Sequence, residues 1–88
     1  MHEMSLMTDL MKRIERVARD NGAQRVLRVK VAIGALAHIS ADHFREHFEE
    51  SSRGTLAQGA ALDITTHDDI HDPHAQHIRL DSVEVAEP

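Results

Sequence analysis

Residues 24–34 read QRVLRVKVAIG. Leu27, Val29, Val31 and Ile33 fall on one phase of this stretch, and Arg28 and Lys30 fall on the other. Successive side chains of a strand project to opposite faces, so the alternation predicts a strand with one buried and one wet face. Such a strand needs an apolar layer to pack against, and the flanking residues supply it.

Upstream, Met4, Met7, Leu10, Met11, Ile14, Val17 and Ala18 recur at spacings of three and four, while Asp9, Lys12, Arg13, Glu15, Arg16, Arg19 and Asp20 take the other side. That spacing predicts an amphipathic helix from Met4 to Asn21. Gly22 follows Asn21 and can adopt the left-handed conformation that closes a helix. Downstream, Ser40 is a good N-cap for a second helix running to about Ser52, with Ala41, Phe44 and Phe48 facing inward and His47 at the border.

Gly54 and Gly59 bracket a turn. Leu62 and Ile64 then alternate with Asp63 and Thr65 in a second strand, and HIRLDSVEV (77–85) gives a third. In the third strand Ile78 and Leu80 share one phase but Val83 and Val85 share the opposite one, which a β-bulge near Asp81 or Ser82 reconciles. The expected fold class is α+β: a small three-stranded antiparallel sheet with two helices packed on one face, the last two strands joined through a histidine-rich segment.

At 88 residues the chain has room for one small domain, which buries only roughly 60% of the surface its unfolded chain exposes. Ten basic against 15 acidic residues give a net charge of −5, and there is no Tyr or Trp. With the charges interspersed, neither a phosphate-tracking stripe nor a base-stacking platform forms, so nucleic acid is not an expected partner. The absence of cysteine removes disulfides, thiolate nucleophiles and thiolate-held metals.

No apolar run approaches the roughly 20 residues of a membrane span, and MHEMSL lacks the zones of a signal peptide. The expectation is a cytoplasmic protein with no membrane partner. Neither a nucleophile–base pair nor a phosphate-cradling glycine loop occurs, so the chain does not read as an enzyme.

Eight histidines remain to be explained. His2 places three nitrogens in one short segment: the α-amine of Met1, its own amide and its own imidazole. Together they form adjoining chelate rings suited to Ni(II) or Cu(II), which favour planar nitrogen coordination, rather than to oxygen-seeking Mg(II) or Ca(II). The Glu3 amide or a side chain from elsewhere can complete the set. The positive end of the adjoining helix opposes a cation by only about 0.3–1 kcal/mol.

A second group, His67, His71, His74 and His77, stands among Asp68, Asp69 and Asp72. Two readings stay open for it. In a compact loop three imidazoles and a carboxylate can converge on Zn(II), Ni(II) or Cu(II); alternatively the segment is a solvated hairpin loop, polar because nothing constrains it. Pro73 argues against one continuous helix presenting all four on one face. His43 and His47 share a helix face at a spacing of four, either as a ligand pair or as an exposed helix border.

MHEMSL (1–6), ARDNGAQRVLRVKVAIGALAHIS (18–40), RGTLAQGAALDI (53–64) and IRLDSVEV (78–85) together resemble the HypA/HybF family of nickel metallochaperones for hydrogenase maturation. The resemblance implies a single nickel-binding domain over residues 1–88, with 67–77 a His/Asp-rich loop where family members usually carry a zinc ribbon of two CxxC pairs. It implies a nickel site at Met1, His2 and Glu3, delivery of Ni(II) to the [NiFe] hydrogenase large subunit, and the maturation GTPase HypB as a partner.

Where the family commonly has an acidic residue before the second helix this chain has Ser40, and His38 and Asp42 flank it as substitute ligands. Zinc at the histidine loop and a homodimer through exposed sheet edges complete the expectations. A metal-independent adaptor in metalloenzyme maturation is the alternative function. Imidazole must be neutral to bind metal, so nickel affinity measured by titration falls between about pH 7.5 and pH 6.

Overall fold

The computed structural model describes residues 3–87, arranged as α1 (Glu3–Asp20), β1 (Val26–Ile33), α2 (Ala41–Ser52), β2 (Ala61–Thr66) and β3 (Ile78–Val85). Along α1, Met7, Leu10, Met11, Ile14 and Ala18 are buried, as their spacing requires. The helix ends in a Schellman arrangement. Gly22 takes a φ of 66°, its N–H donates to the Arg19 carbonyl at 2.9 Å, and the Ala23 N–H donates to the Ala18 carbonyl at 2.8 Å. Ala18 and Ala23 are both buried there, so the same turn that stops the helix aims the chain into β1.

β1 is the central strand, with β2 on one side and β3 on the other. The fold is α+β, as expected, but the sheet is mixed and not antiparallel throughout: β1 pairs parallel with β2 over Arg28–Ile33 and Ala61–Thr66, and antiparallel with β3. The reason is the intervening helix. A strand, a helix and a second strand form a crossover, which returns the chain to the end where β1 began so that β2 runs the same way. Consequently β2 and β3 are not neighbours, and segment 67–77 spans β1 instead of closing a hairpin.

Two bulges set which side chains face the helices. In β3 the pairing steps from Lys30–Ser82 to Val31–Leu80, leaving Asp81 as the extra residue; Ile78, Leu80, Val83 and Val85 then all reach the core. The second bulge was not evident from the alternation. Pairing steps from Val26–Val85 to Arg28–Glu84, so Leu27 is the unmatched residue and is 43% exposed, while Val26 is 1% exposed and takes the inward place expected of Leu27.

Both helices share one core with the inward face of the sheet: Phe44 and Phe48 of α2 join Met7 and Ile14 of α1 and Val29, Val31 and Ile33 of β1. Between the helix α2 and β2, the turn flanked by Gly54 and Gly59 buries Ala57 and accepts the Val26 N–H on the Leu56 carbonyl at 2.8 Å. On the opposite, solvent-facing side, Arg28 links all three strands. Its Nη1 donates to Asp63 Oδ2 at 2.8 Å and its Nε lies 3.7 Å from Glu84 Oε2. The hydrogen bond from Arg28 to Asp63, then the Asp63 charge, raises the guanidinium pKa above its ordinary value.

The far end of that solvent-facing side is not bare. Segment 67–77 folds back on the exit of β1, where Gly34 N–H donates to the His77 carbonyl at 2.9 Å and Leu36 N–H to the Ala75 carbonyl at 2.7 Å. Ala32 and Ala75 are both buried against this clasp. A β-carbon on Gly34 would overlap the backbone carbonyls of His74 and Ala75, which cannot withdraw as a flexible side chain could. Gly34→Ala is expected to destabilise the domain by about 1–3 kcal/mol, read in a urea melt as a lower midpoint. Phe44→Ala, which removes a completely buried ring, is expected to cost about 3–5 kcal/mol in the same measurement.

Candidate metal centre

The parallel ladder fixes where the histidines go. β1 and β2 both finish at one end of the sheet, where Ile33 is level with Thr66, and β3 starts there, with Ile78 opposite Ile33. The loop before α2 leaves from that end, as does segment 67–77. Helix α1 of 18 residues and strand β1 of 8 residues have nearly equal lengths of about 27 and 26 Å, so a helix that turns straight into β1 starts where β1 ends. His38, His43, His47, His67, His71, His74 and His77 therefore occupy the end of the molecule at which α1 begins.

The opposite end is chemically different. There Glu15, Arg19, Gln24, Arg25, Gly54, Thr55, Leu56 and Gln58 line an open depression of about 540 Å³ with no histidine.

Met1 and His2 lie outside the described residues; Glu3 supplies the first residue of α1. His38 is exposed and holds a φ of 59°, in the left-handed region where histidine is among the more tolerant residues. It follows the turn closed by the Ala37 N–H on the Gly34 carbonyl at 3.1 Å. Ser40 then caps α2, its Oγ accepting the His43 N–H at 3.1 Å. Thus the residue at the family's acidic position serves as a helix cap. Asp42 is exposed in the first turn, where its charge suits the helix dipole.

Segment 67–77 is ordered by its own aspartates. Asp69 Oδ1 accepts the His71 N–H at 2.9 Å and Asp72 Oδ1 accepts the His74 N–H at 2.7 Å, two Asx turns in succession. Asp-x-His recurs at 69–71 and 72–74, and that repeat was the sequence signal for this geometry. His67, Asp72, His74 and His77 line one small cavity of about 20 Å³, with His74 Nδ1 3.4 Å from His77 Nδ1. His71 does not line it. On α2, His43 Nε2 and His47 Nε2 stand 3.0 Å apart. Among the described residues no three or more His, Asp or Glu side chains are already gathered to hold a metal ion.

With the fold and the histidine-bearing end defined, relationships to known proteins become informative. The family model for HypA, hydrogenase/urease nickel incorporation metallochaperone, matches residues 1–71. The chain belongs to the HypA family. The Hydrogenase maturation factor HypA of Chlorobium limicola is 44% identical over 64 residues, 73% of this chain and 55% of the relative. That of Acidithiobacillus ferrooxidans is 41% identical over 66 residues, 75% of this chain and 58% of the relative. The chain thus matches a little over half the length of these curated relatives.

Among solved structures, the solution structure of the Ni metallochaperone HypA from Helicobacter pylori superposes with a TM-score of 0.82 at 23% identity, covering 100% of both chains. A second HypA solution structure gives a TM-score of 0.78, also at 23% identity. Thiolate-held zinc does not fit the residues present, since the chain contains no cysteine.

Ser40→Ala removes a cap worth about 1 kcal/mol, whereas Ser40→Asp supplies an equivalent acceptor. Thermal melts are expected to place the alanine variant about 4–8 °C below the parent and the aspartate variant close to it.

Proposed function

We propose that the chain is a nickel carrier for hydrogenase maturation, a binding protein and not an enzyme. Ni(II) is its cargo, held by the Met1 α-amine, the His2 amide and imidazole nitrogens and the Glu3 amide, a nitrogen set matched to a planar divalent ion. The supporting observation is the HypA family match, which includes the opening Met-His-Glu. Ser40 is engaged as a cap, so His38 and Asp42, on either side of it, are the candidates for a further donor.

The proposed partners are the maturation GTPase HypB and the hydrogenase large subunit, in the cytoplasm, and the outer strands β2 and β3 offer edges for pairing with a second copy. Among the described residues no helix is long and apolar enough to cross a membrane.

Within the same domain, the 67–77 loop is proposed as a Zn(II) site. Two nitrogens bound to zinc at about 2.0–2.1 Å in tetrahedral geometry stand about 3.4 Å apart, the separation of His74 Nδ1 and His77 Nδ1. His67 and Asp72, on the wall of the same cavity, would supply the remaining donors after a change of side-chain rotamer; His71 would not take part.

Isothermal titration of Ni(II) into protein with a free amino terminus tests the carrier role. His2→Ala, with circular dichroism unchanged, is expected to lose the tightest equivalent of nickel. If that equivalent persists unaltered, the amino-terminal site is wrong and an adaptor role takes its place.

A further inference from the structure

The two outer strands of the sheet are not alike. β3 is guarded: its ladder is interrupted by the bulge at Asp81, and it carries Arg79, Asp81 and Glu84 along its length. Bulges and charges of this kind keep a sheet edge from pairing with another chain. β2 has no bulge. Its 6 residues, ALDITT, run in unbroken register with β1, and the only charge among them, Asp63, is tied back to Arg28 of β1 at 2.8 Å.

The phase of the parallel ladder decides which backbone groups of β2 are left over. The His67 N–H donates to the Ile33 carbonyl at 2.9 Å, so residues 61, 63, 65 and 67 turn their N–H and C=O toward β1. The residues between them turn theirs the other way. The N–H and C=O groups of Leu62, Ile64 and Thr66 therefore lie along the open edge, and among the described residues no hydrogen bond reaches them.

This edge is complementary to itself. An antiparallel copy must match outward residue to outward residue, and registers centred on Asp63, Ile64 or Thr65 do so. Centring on Asp63 sets that carboxylate opposite its own copy, which is destabilising. Centring on Thr65 leaves Leu62 opposite residue 68, beyond the end of the strand. Centring on Ile64 pairs Leu62 with Thr66 of the second copy and Ile64 with itself, so every outward group is used. It also sets Asp63 against the Thr65 hydroxyl and brings the partly buried Ile64 side chains together on the core face.

We infer that the edge of β2, and not that of β3, is the surface through which this chain pairs with a second copy, antiparallel and in register about Ile64. The inference rests on the pairing of copies proposed above, from which it selects the edge and the register, and it does not depend on nickel. The two-fold axis stands normal to the sheet, so both helix layers stay on one face of a continuous sheet. The contact is short, which makes the association weak and reversible.

The chain has no cysteine, so a single introduced thiol reports the register. Cα atoms facing each other across a hydrogen-bonded antiparallel pair are about 5.5 Å apart, within the span of a disulfide. Metal-bridged contacts are removed with EDTA, and diamide is the oxidant. At about 100 µM, which populates a weak interface, Ile64→Cys is expected to give a covalent dimer on a non-reducing gel. Thr66→Cys is expected to stay monomeric, because its two copies lie roughly 14 Å apart, about four residues along the strand. Val83→Cys, on β3, is expected to stay monomeric too. In the cysteine-free chain, Thr65→Asp sets like charges opposite each other twice per dimer and should raise the dissociation constant, read by sedimentation equilibrium, about tenfold. Far-UV circular dichroism checks the fold of each variant.

Cross-linking of Thr66→Cys as fast as that of Ile64→Cys overturns the register. Cross-linking through Val83→Cys alone overturns the choice of edge while the pairing of copies stands. A parent chain that sediments as a monomer at this concentration overturns both, and a Thr65→Asp chain that associates as its parent does overturns the inference.

Discussion

The parallel ladder between Arg28–Ile33 and Ala61–Thr66 is the constraint from which the rest of this molecule follows. Two strands can run side by side in the same direction only if the chain between them crosses back over the sheet, and here α2 makes that crossing with Phe44 and Phe48 buried beneath it. The ladder and the buried rings support one another. Loss of either removes the reason for the other, because α2 has little else to bury.

That geometry turns a scattered set of histidines into a local one. Once β1 and β2 finish together, the loop into α2, the first turns of α2 and the segment before β3 must all lie at the same end. Three separate stretches of sequence then bring imidazoles to a common region, while the opposite end carries Arg19, Arg25 and Glu15 around an open depression.

Order in the 67–77 segment has a distinct origin. Its aspartates are used twice over, once as turn-forming acceptors for the N–H groups of His71 and His74 and once, for Asp72, as a wall of the small cavity with His67, His74 and His77. The closing hydrogen bonds to Gly34 and Leu36 tie this segment to the exit of β1. A polar composition, which by itself is equally compatible with a loop that does nothing, is here bound to the sheet at a glycine that has no room for a side chain.

Local physics was legible in the sequence. The helix α1 and its stop at Gly22, the Ser40 cap, the inward rings of α2 and the bulge at Asp81 each depend on residues within a few positions of one another, through side-chain periodicity, cap chemistry or the sterics of left-handed backbone. His2, and the spacing of His43 and His47, are likewise properties of short segments. What the sequence pattern did not show is direction and register: that β2 runs parallel to β1, that Leu27 yields its inward place to Val26, and that His71 is left out of the cavity its neighbours line. The strand–helix–strand order was the available sign of a crossover, but alternation along a strand is the same whichever way its neighbour runs. Those outcomes are decided only when α2 must be covered and the sheet must close over one core, which are properties of the assembled chain and not of any segment within it.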